Sequence, residues 1–119
     1  MDKINLLEKF SLIKEHWSPK IIGELNRQQV KLVKLEGEFV FHQHENEDEL
    51  FMVIKGKFKV EYTDKTVEVN EGEIIIVPKG VEHKPVANEE AWIMLFEPVS
   101  TINTGNVINE KTKTQLETI

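Results

Sequence analysis

Residues 41–56 read FHQHENEDELFMVIKG. Two histidines stand one residue apart, a run of acidic and amide residues follows, and an unbroken apolar run then ends in a glycine. Alternate residues of an extended chain point to the same side. On a strand spanning Glu38 to His44, His42 and His44 share a face and Gln43 points away. Leu50 to Ile54 reads as the next strand and Lys55-Gly56 as a tight turn. Glu49 opens that strand and reaches the same point from beside the histidines. Neutral imidazoles and a carboxylate converging within about 2.0–2.2 Å of one point suit a divalent transition metal.

A second stretch, GEIIIVPKGVEHKPVAN at residues 72–88, supplies a further donor. Pro78-Lys79-Gly80 turns the chain so that His83 faces inward. The chain has four histidines, and three of them, His42, His44 and His83, fall in these two stretches. His16 lies in the N-terminal segment. Either stretch alone has an ordinary explanation, because surface strands carry histidines and Glu45 to Glu49 resembles a solvated charge run. The two together point to a metal site.

The rest of the chain fits a set of short strands. Residues 2–10 read as a short helix with Ile4, Leu6, Leu7 and Phe10 on its apolar side, and Trp17-Ser18-Pro19 breaks what precedes it. Lys20 to Leu25 and Gln29 to Leu35 read as strands, with Val30, Leu32 and Val33 as core contacts. Lys57 to Thr63 alternates, placing Phe58, Val60 and Tyr62 on one face. Val67 and Val69 continue the pattern after a turn. Ile74 to Val77 and Ala91 to Phe96 are continuous apolar strands. Such an array, punctuated by glycine and Asx turns, is all-β, a sandwich or barrel. After Pro98 the sequence turns polar and reads as an extended tail across the surface. The expected division is one domain over 1–119, with a core barrel at about 20–97, an N-terminal segment at 1–19 and a tail at 98–119.

Strands 50–54, 73–77 and 91–96 are apolar on both faces. An antiparallel strand with one wet face should alternate, so the outer face needs a cover. A second copy of the chain, forming a homodimer, is the expected cover; the N-terminal segment is the alternative.

Composition narrows the function classes. The 119 residues carry a net charge of −6 and Arg27 as the one arginine, which argues against a nucleic-acid partner. No cysteine is present, so disulfides, thiolate nucleophiles and Cys-based zinc sites are excluded and a cytoplasmic setting is expected. The N-terminus does not read as a secretory signal, and no run has the length of a membrane span.

The two histidine stretches resemble the paired motifs of the cupin superfamily. The first reads Gly37-EFVF-His42-Gln-His44-ENED-Glu49-LFMVIK-Gly56, and the second Gly72-EIIIV-Pro78-Lys-Gly80-VE-His83-KPVA-Asn88. The Gly37–His42 spacing is one residue shorter than the family's usual pattern and the His83–Asn88 spacing one longer; neither changes a ligand type. The resemblance implies a cupin (RmlC-like) jelly-roll β-barrel, a double-stranded β-helix. It also implies His42, His44, Glu49 and His83 as metal ligands and Gly37, Gly56, Gly72, Pro78 and Gly80 as turn residues. The chain looks like small single-domain cupins of the kind labelled mannose-6-phosphate isomerase-like or found in polyketide gene clusters. No extra helical domain is expected, which sets cupin-type transcription regulators aside.

Iron, manganese, nickel, zinc and copper all suit such a donor set. Strand parity gives Val40, Phe51, Val53, Trp92 and Met94 as expected ligand contacts, with Ile93 and Leu95 as the alternative to the last two and Phe96. A pocket apolar except at its metal end suits a small hydrophobic or cyclic molecule. With Arg27 the one arginine and Lys84 expected to point outward, a phosphorylated sugar is disfavoured. Two functions follow: a metal-dependent oxygenase or isomerase/cyclase, and a non-catalytic ligand- or metal-binding module. No catalytic acid or base is identifiable from the sequence.

Overall fold

A computed structural model describes residues 2–119. The chain begins with α1 (Leu6–Ser11), capped by Asn5, whose side chain accepts from the Glu8 amide at 3.0 Å. Seven strands follow: β1 (Lys20–Leu25), β2 (Gln28–Glu38), β3 (Glu49–Lys55), β4 (Lys57–Tyr62), β5 (Thr66–Asn70), β6 (Ile74–Val77) and β7 (His83–Pro98). All strand pairings are antiparallel. Among the described residues, no helix is long and apolar enough to cross a membrane.

β7 organises the fold. Its first part pairs with β4 through His83 to Val86, and its second, from Ala91 onward, lies between β2 and β3. Exposed Asn88, Glu89 and Glu90 separate the two parts. The sheet therefore runs β1-β2-β7-β3-β6 on one side and β7-β4-β5 on the other. Alternate residues of both sides face one interior: Val33 and Leu35, Phe51 and Val53, Phe58 and Val60, Ile93 and Leu95. This all-β antiparallel arrangement agrees with the jelly roll that the motif resemblance implies.

Turn chemistry fixes the registers. Asn26 and Arg27 have φ of 49° and 65°, the left-handed pair of a two-residue hairpin turn whose twist matches its strands. Gly56, at φ 82°, joins β3 to β4, and a Cβ there would sit 3.2 Å from the Glu90 carbonyl oxygen.

The outer face is covered in part by the N-terminal segment. Phe10 and Ile13 pack with Leu32, Ile54, Trp92, Met94 and Ile119, and Phe10 stacks on Trp92 with centroids 4.8 Å apart. The alternative cover named above thus accounts for one part of this face. Beyond it, Ile74 and Ile76 of β6 are each more than half exposed.

Two expected elements differ. Glu38 to His44 is not a strand: β2 ends at Glu38, and His42 pairs with His83 in a single isolated bridge. The residues after Pro98 form turns that pack onto the sheet, not an extended surface tail. Thr101 and Thr104 are buried, and Ile21 bridges to Thr118 in parallel.

Candidate metal centre

The two histidine stretches meet through backbone pairing. His42 N donates to the His83 carbonyl at 3.0 Å, and His83 N donates to the His42 carbonyl at 2.9 Å. Gly80 N donates to the His44 carbonyl at 2.8 Å. Glu49 arrives from the adjoining strand, paired with Val77. His42, His44, Glu49 and His83 are all buried, and one donor atom from each lies within 4.8 Å of the others. Glu49 Oε1 stands 3.4 Å from His44 Nε2 and 3.5 Å from His83 Nε2.

The tautomers follow from the carbonyls nearby. Nδ1 of His42 lies 2.8 Å from the Val40 carbonyl oxygen, and Nδ1 of His83 lies 2.9 Å from that of Val81. A carbonyl only accepts, so each Nδ1 donates and each neutral ring turns an unprotonated Nε2 inward. Burial, reinforced by the neighbouring His83, lowers the His42 pKa from 6.5 to about 4, so the ring is neutral near pH 7. His44 Nδ1 and Nε2, His83 Nε2 and Glu49 Oε1 are buried without a hydrogen-bond partner in the protein. Buried polar atoms without partners are costly. Their convergence on one point is what a cation would relieve, so the donor set fits a divalent transition metal.

A carboxyl that the sequence did not single out adjoins this cluster. Glu97 of β7 is buried and bonds Lys31 Nζ at 2.8 Å. It lines the same cavity as Glu49 and His42. Burial and the Glu49 charge push Glu97 well above the usual carboxylate range, against the pull of Lys31. Burial pushes Glu49 up as well, but the polar groups of Glu97, His44 and His83 around it outweigh that and hold Glu49 well below that range.

A cavity of about 40 Å³ opens beside the cluster. Its walls include Trp17, Leu35, Phe39, Phe51 and Leu95, with His42, Glu49, Glu97 and Asn103 as polar members. Trp17 and Phe39 stack at 4.8 Å and form an aromatic side. Of the expected ligand contacts, Phe51 lines this cavity. Val53 is buried in the core, and Val40 contributes its carbonyl to His42. Trp92 and Met94 face the opposite side of the sheet, against Phe10; the other phase of β7 points inward, placing Leu95 and Glu97 at the wall. Trp17, Phe39 and Asn103 lie outside the strands, so period-two reasoning could not find them. Glu97 was within reach of it, as the next inward position after Ile93 and Leu95.

Lys84 turns away from the cluster toward Glu38 and Glu61. His16 is at the surface, 2.7 Å from Glu90.

Residues 30–97 match the cupin domain family Cupin_2. The chain is a member of the cupin family. Among solved cupin structures, it resembles a cupin-2 domain containing protein from Shewanella frigidimarina, with 50% identity and a TM-score of 0.79 over 80% of this chain and 93% of the other. Protein NMB1881 from Neisseria meningitidis is 34% identical with a TM-score of 0.76, covering 82% of this chain and 99% of that one. In sequence, this cupin is 33% identical over 81 residues to the uncharacterized protein YdbB of Bacillus subtilis, covering 67% of this chain and 72% of YdbB.

Proposed function

We propose that this cupin is a metal-dependent enzyme acting on a small, largely apolar or cyclic organic molecule, as an oxygenase or an isomerase/cyclase. The observation that carries the reading is the convergence of four buried donor residues, three with inward atoms that lack a protein partner, at the edge of an apolar cavity. His42, His44, Glu49 and His83 would hold the metal. A divalent cation there supplies Lewis acidity and open coordination positions for a small ligand. The Val40 and Val81 carbonyls orient two of the imidazoles. Phe51, Leu35 and Leu95 exclude water, and the Trp17–Phe39 stack offers a flat surface to a planar or cyclic molecule.

Cavity size favours a second reading. About 40 Å³ is room for a few waters, which suits a compact module that holds a metal or a very small ligand without turnover. Elemental analysis of protein purified without chelator or histidine tag, followed by oxygen uptake after metal reconstitution, separates the readings. Near-stoichiometric iron with ligand-dependent oxygen consumption supports an oxygenase. Zinc, nickel or manganese without oxygen uptake directs the search to isomerisation, cyclisation or binding. A protein that takes up no metal under any loading condition contradicts the enzyme reading and the metal-holding form of the second.

Self-association completes the proposal. Ile74 and Ile76 project from β6 opposite Met52 and Leu50, and Leu50 in turn pairs with Phe96 of β7. This apolar area continues the face that the N-terminal segment covers elsewhere, and a second copy of the chain is the occupant that buries it.

A further inference from the structure

The cavity beside the donor cluster is too small for the molecule that the enzyme reading assigns to it. About 40 Å³ falls well short of the roughly 300 Å³ at which small-molecule pockets begin, so one wall has to yield. Val33, Leu35, Phe51 and Leu95 are buried in paired strands, and Pro19 and Pro85 are buried too. Asn103 is tied at both ends of its side-chain amide, donating to the Lys111 carbonyl at 2.9 Å and accepting from the Lys113 amide at 2.8 Å. Trp17 differs from all of these. It lies between α1 and β1, outside any helix or strand, and is half-buried. Its φ is 59°, in a region that bulky residues rarely occupy. Its backbone amide donates to the Lys34 carbonyl at 2.9 Å. Two contacts hold the indole. Its face stacks on Phe39, with centroids 4.8 Å apart and planes 15° from parallel, and its Nε1 donates to the Glu36 carbonyl at 2.9 Å. Phe39 in turn meets the His42 ring edge-on at 5.5 Å.

We propose that the Trp17 indole occupies part of the ligand site: a planar bicyclic aromatic molecule with a hydrogen-bond donor on its edge displaces it, stacks on Phe39 and donates to the Glu36 carbonyl. This names the ligand class of the site, and it rests on the reading that a cyclic organic molecule enters the cavity. The two contacts of the indole define such a ligand, a flat face against Phe39 and a donor opposite Glu36, and an incoming ring restores both. Rotation about the Trp17 side-chain bonds is enough to clear the place, because the backbone stays bonded to Lys34. The departing indole adds its own volume to the cavity, which reduces the size deficit. The ring that replaces it lies one aromatic residue, Phe39, away from His42 of the donor cluster.

Free indole is the probe, since it has the required face and donor. The chain has two tryptophans, Trp17 and Trp92, so NMR of the nitrogen-labelled protein shows two side-chain indole N–H signals, assigned with Trp92→Phe. Titration with unlabelled indole should move the Trp17 signal to the position of a solvent-exposed indole and leave the Trp92 signal in place. Cyclohexanol, which has a donor but no flat face, should bind about 2–10-fold more weakly. Trp17→Gly tolerates the positive φ and leaves the slot open. It should bind indole at least about tenfold more tightly than the unmodified protein, because no side chain has to leave first. Adding Phe39→Leu should cancel that gain. The titration of the unmodified protein decides the matter even if Trp17→Gly does not fold. A stationary Trp17 signal at saturating indole, an absence of indole binding, or a folded Trp17→Gly that binds indole no better would overturn the proposal. Metal uptake by the same unmodified protein is read separately. If it is normal, only the role of Trp17 falls; if it is absent, the metal-dependent reading falls and the Trp17 slot stands on its own titration.

Discussion

His42 and His83 are joined by a reciprocal pair of backbone hydrogen bonds, at 3.0 and 2.9 Å, although 41 positions separate them in the chain. The bridge brings the two histidine stretches together independently of any metal. Substituting a ligand side chain should therefore abolish binding without separating the stretches. His44→Ala and His83→Ala are each expected to weaken metal binding by more than the roughly 100-fold upper range for residues that only orient ligands, with the strand content by circular dichroism unchanged. Undiminished metal content in both variants would refute the assignment.

Acid should destabilise the metal-free protein through His42. Its pKa is lowered from 6.5 to about 4 by burial first and by His83 second. The unfolded chain then binds more protons than the folded one between those values. The contribution is thus fully present above pH 6.5 and lost progressively as pH falls toward 4, to a total of about 3 kcal/mol. Thermal unfolding across this range should show a shallower acid slope in His42→Asn than in the unmodified protein. Identical slopes would assign the effect to other groups.

Gly105 holds the segment after Pro98 against the histidine stretch. Its φ is 54°, and a Cβ would stand 2.2 Å from the Gln43 carbonyl oxygen. Asn106 secures the same place, its amide donating to Gln43 O at 3.1 Å and its side chain accepting from Gln43 N at 2.9 Å. Gly105→Ala should cost about 1–3 kcal/mol by overpacking and backbone strain. Hydrogen exchange should rise at Gln43 and Asn106 before it rises in β7. Wild-type protection in that variant would show that the segment adjusts freely.

The N-terminal helix is held by its aromatic contact. Phe10 is fully buried and stacks on Trp92, so Phe10→Ala should lower stability by about 3–5 kcal/mol. Denaturant titration measures this directly, and a loss under 1 kcal/mol would place little of the stability in this contact.

The remaining apolar area on β6 gives a separate expectation. If a second copy covers Ile74 and Ile76, Ile76→Lys should shift the protein from dimer to monomer in sedimentation analysis while leaving its fold intact. A monomeric unmodified protein would contradict the proposed self-association.

Three of the four donor residues, His42, His44 and Glu49, were legible because they fall within eight residues of one another, and His83 because it stands in a second stretch with its own turn residues. Alternate histidines and a glutamate opening the next strand need only one turn, and the glycines and Pro78 mark where the chain reverses. Trp92 and Met94 were assigned to the wrong face because Ala91 to Phe96 is apolar at every position, and such a run does not reveal its phase. The phase is set by the pairing of Leu35 with Ala91 and Val33 with Ile93, which no local pattern encodes. Glu97 and Lys31 look like surface charges in sequence. They prove to be interior because each continues an inward row, Glu97 after Leu95 and Lys31 before Val33. The packing of the chain after Pro98 was hidden for another reason: apart from Ile119, it is held by hydrogen bonds to Gln43 and Ile21, which leave no hydrophobic pattern to read.

His42, His44, Glu49 and His83 are expected to bind one metal ion. Anomalous diffraction from crystals of the metal-loaded protein, recorded on both sides of the metal's absorption edge, tests it most directly. The expected result is a single strong peak about 2.0–2.2 Å from the inward imidazole nitrogens and from a Glu49 oxygen. A peak elsewhere, with these four side chains still unligated, would contradict it.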